Sequence, residues 1–353
     1  MKLIRISRVD QLRVKSLIYI SIFWTAIDFV VVLLRDSNNS TLLYENLLVR
    51  ESIIFILSLC MGYLFVFELK RLFRHYPLWL NFIFKSFILL FSAFAINFII
   101  HFGNYVILEN MNAGIASNKI MAAAMENDWL IRKVLYWVII FFITQLFLVI
   151  NEKYSPGVFV DILLGRYIQP KIEKRIVMFI DLKDSTPIAE KLGHQQYFKF
   201  IRDFIFLVST AIIEFDGRIY QYVGDEVVSS WPFMARNTRR CMEAVIESRK
   251  NIQKRSEHFR NTYGIIPEFR VGIHLGDVTV GEIGVIKKDL AMSGDTMNTT
   301  ARIRSACNEL NQKFIVSKDF IENIDLEVWQ AESLGIIDLK GKGHGIELFS
   351  LKI

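Results

Sequence analysis

Long apolar runs with few charged residues occupy the first 150 positions of the chain, whereas the remainder mixes apolar and charged positions at short spacing. Four runs approach the length of about 20 apolar residues that a membrane-spanning helix needs. Helices of a soluble bundle would show a polar face, and these runs show none. We therefore predict an α-helical transmembrane domain of four helices over residues 1–150, with spans at Ser16–Leu34, Ser52–Phe67, Leu78–Ile100 and Val134–Ile150.

After residue 174, short segments rich in β-branched residues alternate with longer amphipathic segments. This alternation predicts the order βαββαβ, an α+β ferredoxin-like fold, over residues 175–353, with residues 151–174 as a cytoplasmic linker. Thr186, which precedes Pro187, is expected to cap a helix. The predicted strands are Arg175–Leu182, Arg218–Val223, Glu226–Trp231, Phe269–Leu275, Val278–Ile283 and Lys313–Ser317, the predicted helices are Gln195–Phe215, Arg236–Tyr263 and Thr296–Leu310, and turns are predicted at Gly224-Asp225 and Gly276-Asp277.

Basic residues are distributed unevenly among the segments that flank the apolar runs. Lys and Arg number 13 in the 50 residues of segments 1–15, 68–77 and 151–175, and 5 in the 50 residues of segments 35–51 and 101–133. Because basic flanks favour the cytoplasmic side of the inner (plasma) membrane, we expect a multi-pass protein with both termini in the cytoplasm. The net charge of +6 follows partly from these flanks, and no nucleic-acid-binding motif accompanies it, so no nucleic-acid partner is expected.

Two ionisable residues, Asp28 and Lys85, lie inside the predicted spans. Such groups are costly within a bilayer and are usually paired or functional. Either the two side chains pair, or Lys85 extends to the interface while Asp28 bonds a neighbouring helix. A transport or ligand-sensing role for the spans would depend on these two residues alone.

Two aspartates stand where apolar strand segments end at turns. Asp181 follows Phe179-Ile180, and Asp225 follows Tyr222-Val223-Gly224. Mg²⁺ prefers oxygen ligands and usually binds through one or two carboxylates plus substrate phosphates. Metal ions held there could activate a ribose hydroxyl and neutralise a leaving pyrophosphate. Aspartates are also common in turns, so the pair by itself leaves both interpretations open.

Other polar residues have the types that binding of a triphosphate requires. Asn298 and Arg302 are four positions apart on one predicted helix and therefore share a face. From that face they could orient a ribose and stabilise charge on phosphorus. Arg270 and Lys342 add positive charge. The turn after the first strand precedes a helix, and its N–H groups suit phosphate oxygens; it contains Lys183, Asp184, Ser185 and Thr186.

Taken together, these motifs resemble the catalytic domain of the class III nucleotidyl cyclases, which make cyclic nucleotides from nucleoside triphosphates. The resemblance covers approximately residues 172–353, and the four spans are similar to those of bacterial membrane-anchored members. The motifs occur in that family's order and spacing: Phe-x-Asp at 179–181, Val-Gly-Asp at 223–225, Arg-Val-Gly-Ile-His at 270–274, Gly-Asp-x-x-Asn-x-x-x-Arg at 294–302 and Leu-Lys-Gly-Lys-Gly at 339–343.

The resemblance implies a role for each candidate residue. Asp181 and Asp225, with the carbonyl of Leu182, would bind two divalent metal ions, Mg²⁺ or Mn²⁺. Asn298 and Arg302 would be the catalytic residues that act on the transition state. The family's pocket lies between two cyclase domains, and this chain has one, so a second copy is implied as a homodimeric partner. The phosphates would be held by Arg270, Lys342 and the turn Lys183-Asp184-Ser185-Thr186.

Gln221 and Ala291 stand at the base-selecting positions, four residues before Asp225 and four before Asp295. Adenylate-forming members usually carry Lys at the first position and Asp, Thr or Ser at the second, whereas guanylate-forming members show Glu and Cys-like residues. Gln221 both donates and accepts hydrogen bonds and could read adenine, guanine or a pyrimidine. Ala291 offers no side-chain hydrogen bond, and a shift of register would substitute Asp289 or Ser293.

The resemblance therefore implies a membrane-bound adenylate cyclase, which converts ATP to 3′,5′-cyclic AMP and pyrophosphate at a homodimer interface in contact with the lipid bilayer. ATP is favoured because most bacterial-type members use it. One alternative is a cyclase that uses GTP or a pyrimidine triphosphate. The other is a non-catalytic membrane sensor whose cyclase-like domain only binds nucleotide.

Overall fold

The computed structural model describes residues 7–35, 43–68, 77–126, 129–153, 158–285, 289–324, 329–339, 342 and 344–352. The chain divides into two units. One covers Asp10–Lys153, and the other covers Met1–Val9 together with Tyr154–Ile353. The assignment of these regions as membrane domain, linker and catalytic domain stays a prediction.

The elements described in the first unit are all helices. Trp24 lies at its centre: the indole N–H donates a hydrogen bond to Thr144 Oγ1 at 2.8 Å, and the ring centroid is 4.6 Å from that of Phe141. Asp28 and Lys85 are both buried. The helices are α1 (Arg8–Arg35), α2 (Leu43–Tyr63), α3 (Leu78–Gly103), α4 (Ala113–Glu126) and α5 (Trp129–Lys153), with π-helical segments at Leu64–Glu68 and Asn104–Leu108.

Two helical segments of this unit, Arg8–Leu33 and Glu51–Glu68, are long and apolar enough to cross a membrane. Ile83–Ser92 and Leu135–Ile150 are shorter apolar helical segments within the described residues. Two such helices fit a membrane anchor, and the number of four spans stays a prediction.

The second unit is built on one mixed sheet. Its strands are hydrogen-bonded in the order β2-β3-β1-β4-β6-β8-β7, and β5 pairs with the far part of β4. Only β4 and β6 pair in parallel; the other pairs among the described strands are antiparallel. The strands are β1 (Lys171–Leu182), β2 (Arg218–Val223), β3 (Glu226–Pro232), β4 (Phe269–Ile283), β5 (Asp289–Ser293), β6 (Phe314–Ser317), β7 (Gln330–Ile337) and β8 (Ile346–Lys352).

Six helices lie in the described part of this unit, and their order along the chain confirms the predicted βαββαβ arrangement over β1–β4. Helix α7 follows β1, and α8 and α9 follow β3. The helices are α6 (Val158–Leu163), α7 (Ser185–Glu214), α8 (Ala235–Lys254), α9 (Ser256–Tyr263), α10 (Asp295–Glu309) and α11 (Lys318–Ile321).

The prediction of a turn at Gly276-Asp277 is wrong. Strand β4 continues without interruption through both residues, because its pairing with β1 spans them: Arg175 lies opposite Gly276, and Lys174 lies opposite Asp277. A Gly-Asp pair is typical of turns, but here hydrogen bonding to a long neighbouring strand decides the conformation. The hairpin forms later, between β4 and the unpredicted strand β5.

The helix boundaries also differ from prediction. Helix α7 begins at Ser185 with Asp184 at its N-cap, so Thr186 lies inside the helix instead of capping it. The predicted helix Arg236–Tyr263 is broken at Arg255 into α8 and α9. The break lets α9 pack its aromatic residues on α7: the ring of Phe200 is 5.6 Å from Phe259 and 5.3 Å from Tyr263. Tertiary packing therefore overrides helix continuity.

One face of the sheet carries α10, and this contact depends on Gly272 of β4. A Cβ at that position would lie 2.5 Å from the backbone nitrogen of Arg304. Helix backbone cannot yield in the way that a flexible side chain does, so a larger residue would push α10 off the strand. The glycine thus sets the distance and rotation at which α10 lies over the sheet. The opposite face packs under α7, α8 and α9 around Phe200, Phe204, Trp231, Met242 and Phe259.

Candidate active site

Asp181 lies at the end of β1, at the centre of the sheet. On one side it is paired with Arg270 of β4. On the other side, the β1–β3 register ends at the pair Ile180 and Val227, so the next step brings Asp181 beside Glu226. The side chain of Asp181 is 18% exposed. Its burial raises the pKa of its carboxyl, while the nearby Arg304 lowers it and the Asp225 carboxylate raises it again.

Asp225 reaches the same place from the turn between β2 and β3. Gly224 in this turn has φ +62°, a conformation that residues with a side chain rarely adopt, which explains the glycine. The turn returns the chain directly into β3, so Asp225 lies close enough to Asp181 for its charge to act on it. Its Oδ2 atom is buried and has no hydrogen-bond partner among the described residues.

The two aspartates fit divalent metal ions. Both provide only carboxylate oxygens, the donor type that Mg²⁺ and Mn²⁺ prefer. A buried carboxylate oxygen without a partner is costly, and a bound cation would satisfy Asp225 Oδ2. No group of three or more His, Cys, Asp or Glu side chains able to hold a metal was found in the described part of the chain. Substrate phosphates would therefore have to complete the coordination.

Leu182, the third predicted metal ligand, is the last residue of β1. Its side chain is buried, and the register of β1 and β4 places it opposite Phe269. The structure thus places Leu182 next to Asp181 at the end of β1, where the metal ligands are predicted. The role of its carbonyl stays a prediction.

Arg304 of α10 reaches into this cluster, although its sequence position did not single it out. Its Nη1 lies 3.3 Å from Asp181 Oδ2, and its Nε lies 2.7 Å from Glu226 Oε2. Burial raises the pKa of Glu226, and Arg304 opposes that effect. The guanidinium therefore bridges a predicted metal ligand and a neighbouring acid.

Tyr197 of α7 is a second residue that the sequence did not indicate. Burial raises the pKa of its phenol, and the charge of Asp225 raises it further. A hydrogen bond with the Ser185 side chain lowers it, and the charge of Asp181 raises it. The charges of both aspartates therefore act on the Tyr197 phenol. Its position 16 residues after Asp181 carries no motif signal.

In the predicted phosphate-binding turn, Lys183 already makes contacts with another residue of the chain. The Lys183 N–H donates a hydrogen bond to the Glu268 carbonyl at 2.8 Å, and Lys183 Nζ lies 3.4 Å from Glu268 Oε2. Asp184 is exposed with a left-handed backbone, φ +57°. Ser185 and Thr186 form the first turn of α7. Phosphate binding at this turn stays a prediction. The N–H of Lys183 is not available for it, because it donates to the Glu268 carbonyl.

Asn298 and Arg302 lie on α10, the former exposed and the latter half-buried. Across the described residues, neither forms a hydrogen bond or an ion pair with Asp181 or Asp225. Arg304 pairs with Asp181 instead, because Arg304 follows Arg302 by two residues, which correspond to a rotation of about 200° along a helix. Arg302 and Arg304 thus point in nearly opposite directions. A single chain does not bring the predicted catalytic pair onto its own predicted metal ligands.

The two remaining predicted phosphate ligands lie at different places. Arg270 is beside Asp181, where its charge lowers the pKa of that carboxyl. Lys342 is at the start of α10, where its Nζ lies 2.8 Å from Asp295 Oδ2. This hydrogen bond lowers the pKa of Asp295. Of the closing motif, Lys340, Gly341 and Gly343 lie outside the described residues.

The predicted base-selecting residues lie on β2 and β5, and a hydrogen bond to the Tyr220 side chain joins these two strands. Gln221 is exposed on β2, next to a shift of register at Tyr220. Ala291 lies on β5, opposite Gly281. The backbone N–H of Met292, the neighbour of Ala291, donates a hydrogen bond to the Tyr220 hydroxyl at 3.0 Å. The fold therefore brings the two segments together within one chain, and their role in base selection stays a prediction.

Known proteins are similar to this chain over the region that contains the motifs. Residues 168–352 match the family described as the adenylate and guanylate cyclase catalytic domain. The chain is 32% identical over 204 residues to adenylate cyclase 2 of Rhizobium meliloti (strain 1021), which covers 57% of this chain and 56% of the relative. It is 24% identical over 216 residues to an adenylate cyclase of Anabaena cylindrica, covering 57% and 42%.

These matches have a limited extent: the chain spans about half the length of these relatives. A solved structure of a bacterial light-regulated adenylyl cyclase superposes with a TM-score of 0.54 at 18% identity, covering 62% of this chain and 64% of that one. At this identity the superposition shows the shared fold alone. The resemblance predicted from the motifs is confirmed at the level of the family.

Proposed function

This chain belongs to the adenylate and guanylate cyclase catalytic domain family, and we propose that it converts ATP to 3′,5′-cyclic AMP and pyrophosphate. The observation that carries this proposal is the convergence of Asp181 and Asp225 at the end of the central strands, where Asp225 Oδ2 is buried and accepts no hydrogen bond from any described residue. The adenylate cyclase names of the two bacterial relatives favour ATP over GTP.

The residues of the chain divide the work of this reaction. Asp181 and Asp225 would hold two divalent ions, Mg²⁺ or Mn²⁺, with Leu182 beside them. When bound, these ions lower the pKa of the ribose 3′-hydroxyl and neutralise charge on the leaving pyrophosphate. Arg270, next to Asp181, would add positive charge toward the phosphates. Asn298 and Arg302 would orient the ribose and stabilise charge on the α-phosphorus.

A second copy of the chain is part of this proposal. Asn298 and Arg302 make no contact with Asp181 or Asp225 of their own chain among the described residues, so a complete site needs them from a partner. Tyr222 and Val223, just before Asp225, are each 50% exposed and provide apolar surface for that partner. Two identical chains related by a two-fold axis would form two equivalent sites.

We expect the full chain to remain with the membrane fraction after washes with high salt and alkaline carbonate, and to enter solution only with detergent. The helices Arg8–Leu33 and Glu51–Glu68 support this expectation by length and hydropathy. Exposed Phe87 and Phe91, at 72% and 73%, add apolar surface suited to lipid. Fractionation followed by immunoblotting measures it, and recovery of the chain in the carbonate supernatant would contradict a multi-pass plasma membrane protein.

Purified full chain, in detergent with Mg²⁺ or Mn²⁺, is expected to form cyclic AMP and pyrophosphate from ATP, and a chelator is expected to stop the reaction. The measurement is separate incubation with ATP, GTP, CTP and UTP, followed by chromatographic identification of each product. A cyclic product from GTP or a pyrimidine triphosphate alone would overturn the substrate, which depends on Gln221 and Ala291. Absence of pyrophosphate release from all four would favour a nucleotide-binding sensor without catalysis.

A further inference from the structure

The ion pair of Arg304 differs from an ordinary surface ion pair. Its side chain is 24% exposed, and its partners Asp181 and Glu226 are 18% and 11% exposed. Exposed ion pairs contribute little because water screens them, and this one is largely shielded. The close contact between Gly272 and the Arg304 backbone holds the start of the side chain over the end of β1. The packing of α10 on the sheet therefore positions the guanidinium beside Asp181.

The Arg304 guanidinium carries a positive charge that faces the carboxylates of Asp181 and Glu226. Asp181 Oδ2, at 3.3 Å from Arg304 Nη1, is one of the atoms that a divalent ion would use. An ion on Asp181 Oδ2 would share this oxygen with the guanidinium or displace the guanidinium from it. Sharing is unfavourable because the two positive charges repel each other. Glu226, at 2.7 Å from Arg304 Nε, is a second anchor to which the guanidinium can stay attached.

We propose that Arg304 is a positioning residue that occupies part of the metal site in the metal-free protein and competes with the divalent ion for Asp181. Glu226 retains the guanidinium when the ion binds, so the arginine moves off Asp181 without leaving a buried acid unpaired. The arginine thereby weakens binding of metal alone, and the metal enters together with the triphosphate, whose negative charge outweighs the guanidinium. This inference rests on the proposed function, because it assigns regulation to the same metal site.

The simpler explanation is that Arg304 only neutralises Glu226 and stabilises the fold. The two explanations differ in what they predict for metal binding. A purely structural arginine affects the thermal midpoint of unfolding, and the affinity for metal stays unchanged. A competing arginine affects both, in opposite directions: its loss lowers the stability of the metal-free protein and raises the affinity for metal.

The test is the affinity of the detergent-solubilised full chain for Mn²⁺ alone, measured by electron paramagnetic resonance of free Mn²⁺, with thermal unfolding recorded alongside. Arg304→Met keeps the length of the stem and removes the charge. We expect it to bind Mn²⁺ at least about tenfold more tightly than the unaltered chain, since a fixed charge at contact distance is lost. Mn²⁺ should then raise the thermal midpoint of the variant more than that of the unaltered chain.

Three further variants complete the test. Arg239→Met removes the same charge from the surface of α8, where Arg239 is exposed and pairs with Glu243, and we expect Mn²⁺ affinity to stay within about twofold because solvent screens that charge. Because Arg304→Met leaves Glu226 buried without a counter-charge, Glu226→Gln is made alone and together with it. We expect Glu226→Gln to weaken Mn²⁺ binding, because the guanidinium then rests on Asp181 alone, and the added Arg304→Met to restore it.

Each outcome has a definite meaning. Equal Mn²⁺ affinity of Arg304→Met and the unaltered chain, with Asp181→Asn abolishing binding, overturns the competition and leaves Arg304 a structural residue. Mn²⁺ binding that is unaffected by Asp181→Asn, or absent from every variant, overturns the metal site and with it the proposed function. Tighter binding in Arg304→Met and in the double variant relative to Glu226→Gln supports the competition.

Discussion

Asp225→Asn is expected to lower the rate of cyclic nucleotide formation by at least about a hundredfold while leaving the protein folded, since loss of one group that stabilises transition-state charge typically costs that much. The carboxylate lies beside Asp181, and its Oδ2 has no hydrogen-bond partner among the described residues. Asparagine keeps its shape, removes the negative charge that a divalent ion would bind, and breaks no ion pair recorded for the aspartate.

The same substitution is expected to leave the thermal midpoint of the metal-free protein unchanged or higher. Removal of the Asp225 charge relieves repulsion of the Asp181 carboxylate, one of the causes that raise the pKa of Asp181. Product formation by chromatography and thermal unfolding by circular dichroism measure the two effects. Asp277→Asn, an exposed aspartate on the same sheet, serves as the matched control and should retain full activity. A folded Asp225→Asn protein within tenfold of the original rate would contradict the assignment of Asp225 as a metal ligand.

A mixture of Asp225→Asn chains and Arg302→Ala chains is expected to recover activity that neither variant has alone. In a mixed dimer, one site combines the intact Asp225 of one chain with the intact Arg302 of the other. Because half of the dimers in an equal mixture are mixed and each has one working site of two, recovery should reach about a quarter of the original rate. The measurement is product formation after co-expression of the two differently tagged chains.

The control for this mixture uses two variants with lesions on the same side of the site. Asp181→Asn chains mixed with Asp225→Asn chains should stay inactive, because each site then contains one altered aspartate. Sequential purification on the two tags shows whether mixed dimers have formed. Mixed dimers of Asp225→Asn and Arg302→Ala that stay inactive would sink the shared site, and the location of Asn298 and Arg302 on α10 would then need another explanation.

The sequence pattern predicted the sheet well where strands end at turns with a positive φ. The turn at Gly224 and the strands on either side of it form as expected, so Asp225 returns to the end of β1. The pattern failed where a local turn signal competes with a long partner strand, as at Gly276-Asp277, which β1 holds in an extended conformation. Strands β5, β7 and β8 were not predicted, and the residues of β7 are largely exposed, so they lack a strong apolar pattern.

The residues of the candidate site also fall into those that the sequence predicted and those that it did not. Asp181 and Asp225 could be found in advance because each terminates a strand, and the register of β1, β3 and β4 then brings their neighbours together. Tyr197 and Arg304 could not be found in this way, because each enters the cluster from a helix whose placement depends on long-range packing.

Local patterning was sufficient to predict the βαββαβ order and to place the two aspartates, since strand ends, turns and helix periodicity are encoded within a few residues. The family came from the resemblance of the motifs and the match over residues 168–352. Local patterning could not decide which arginine of α10 faces Asp181. Arg302 and Arg304 are two positions apart, and the rotation of the helix over the sheet, set by the contact at Gly272, selects Arg304. Under the proposed function, Asn298 and Arg302 then act in the site of a second copy of the chain.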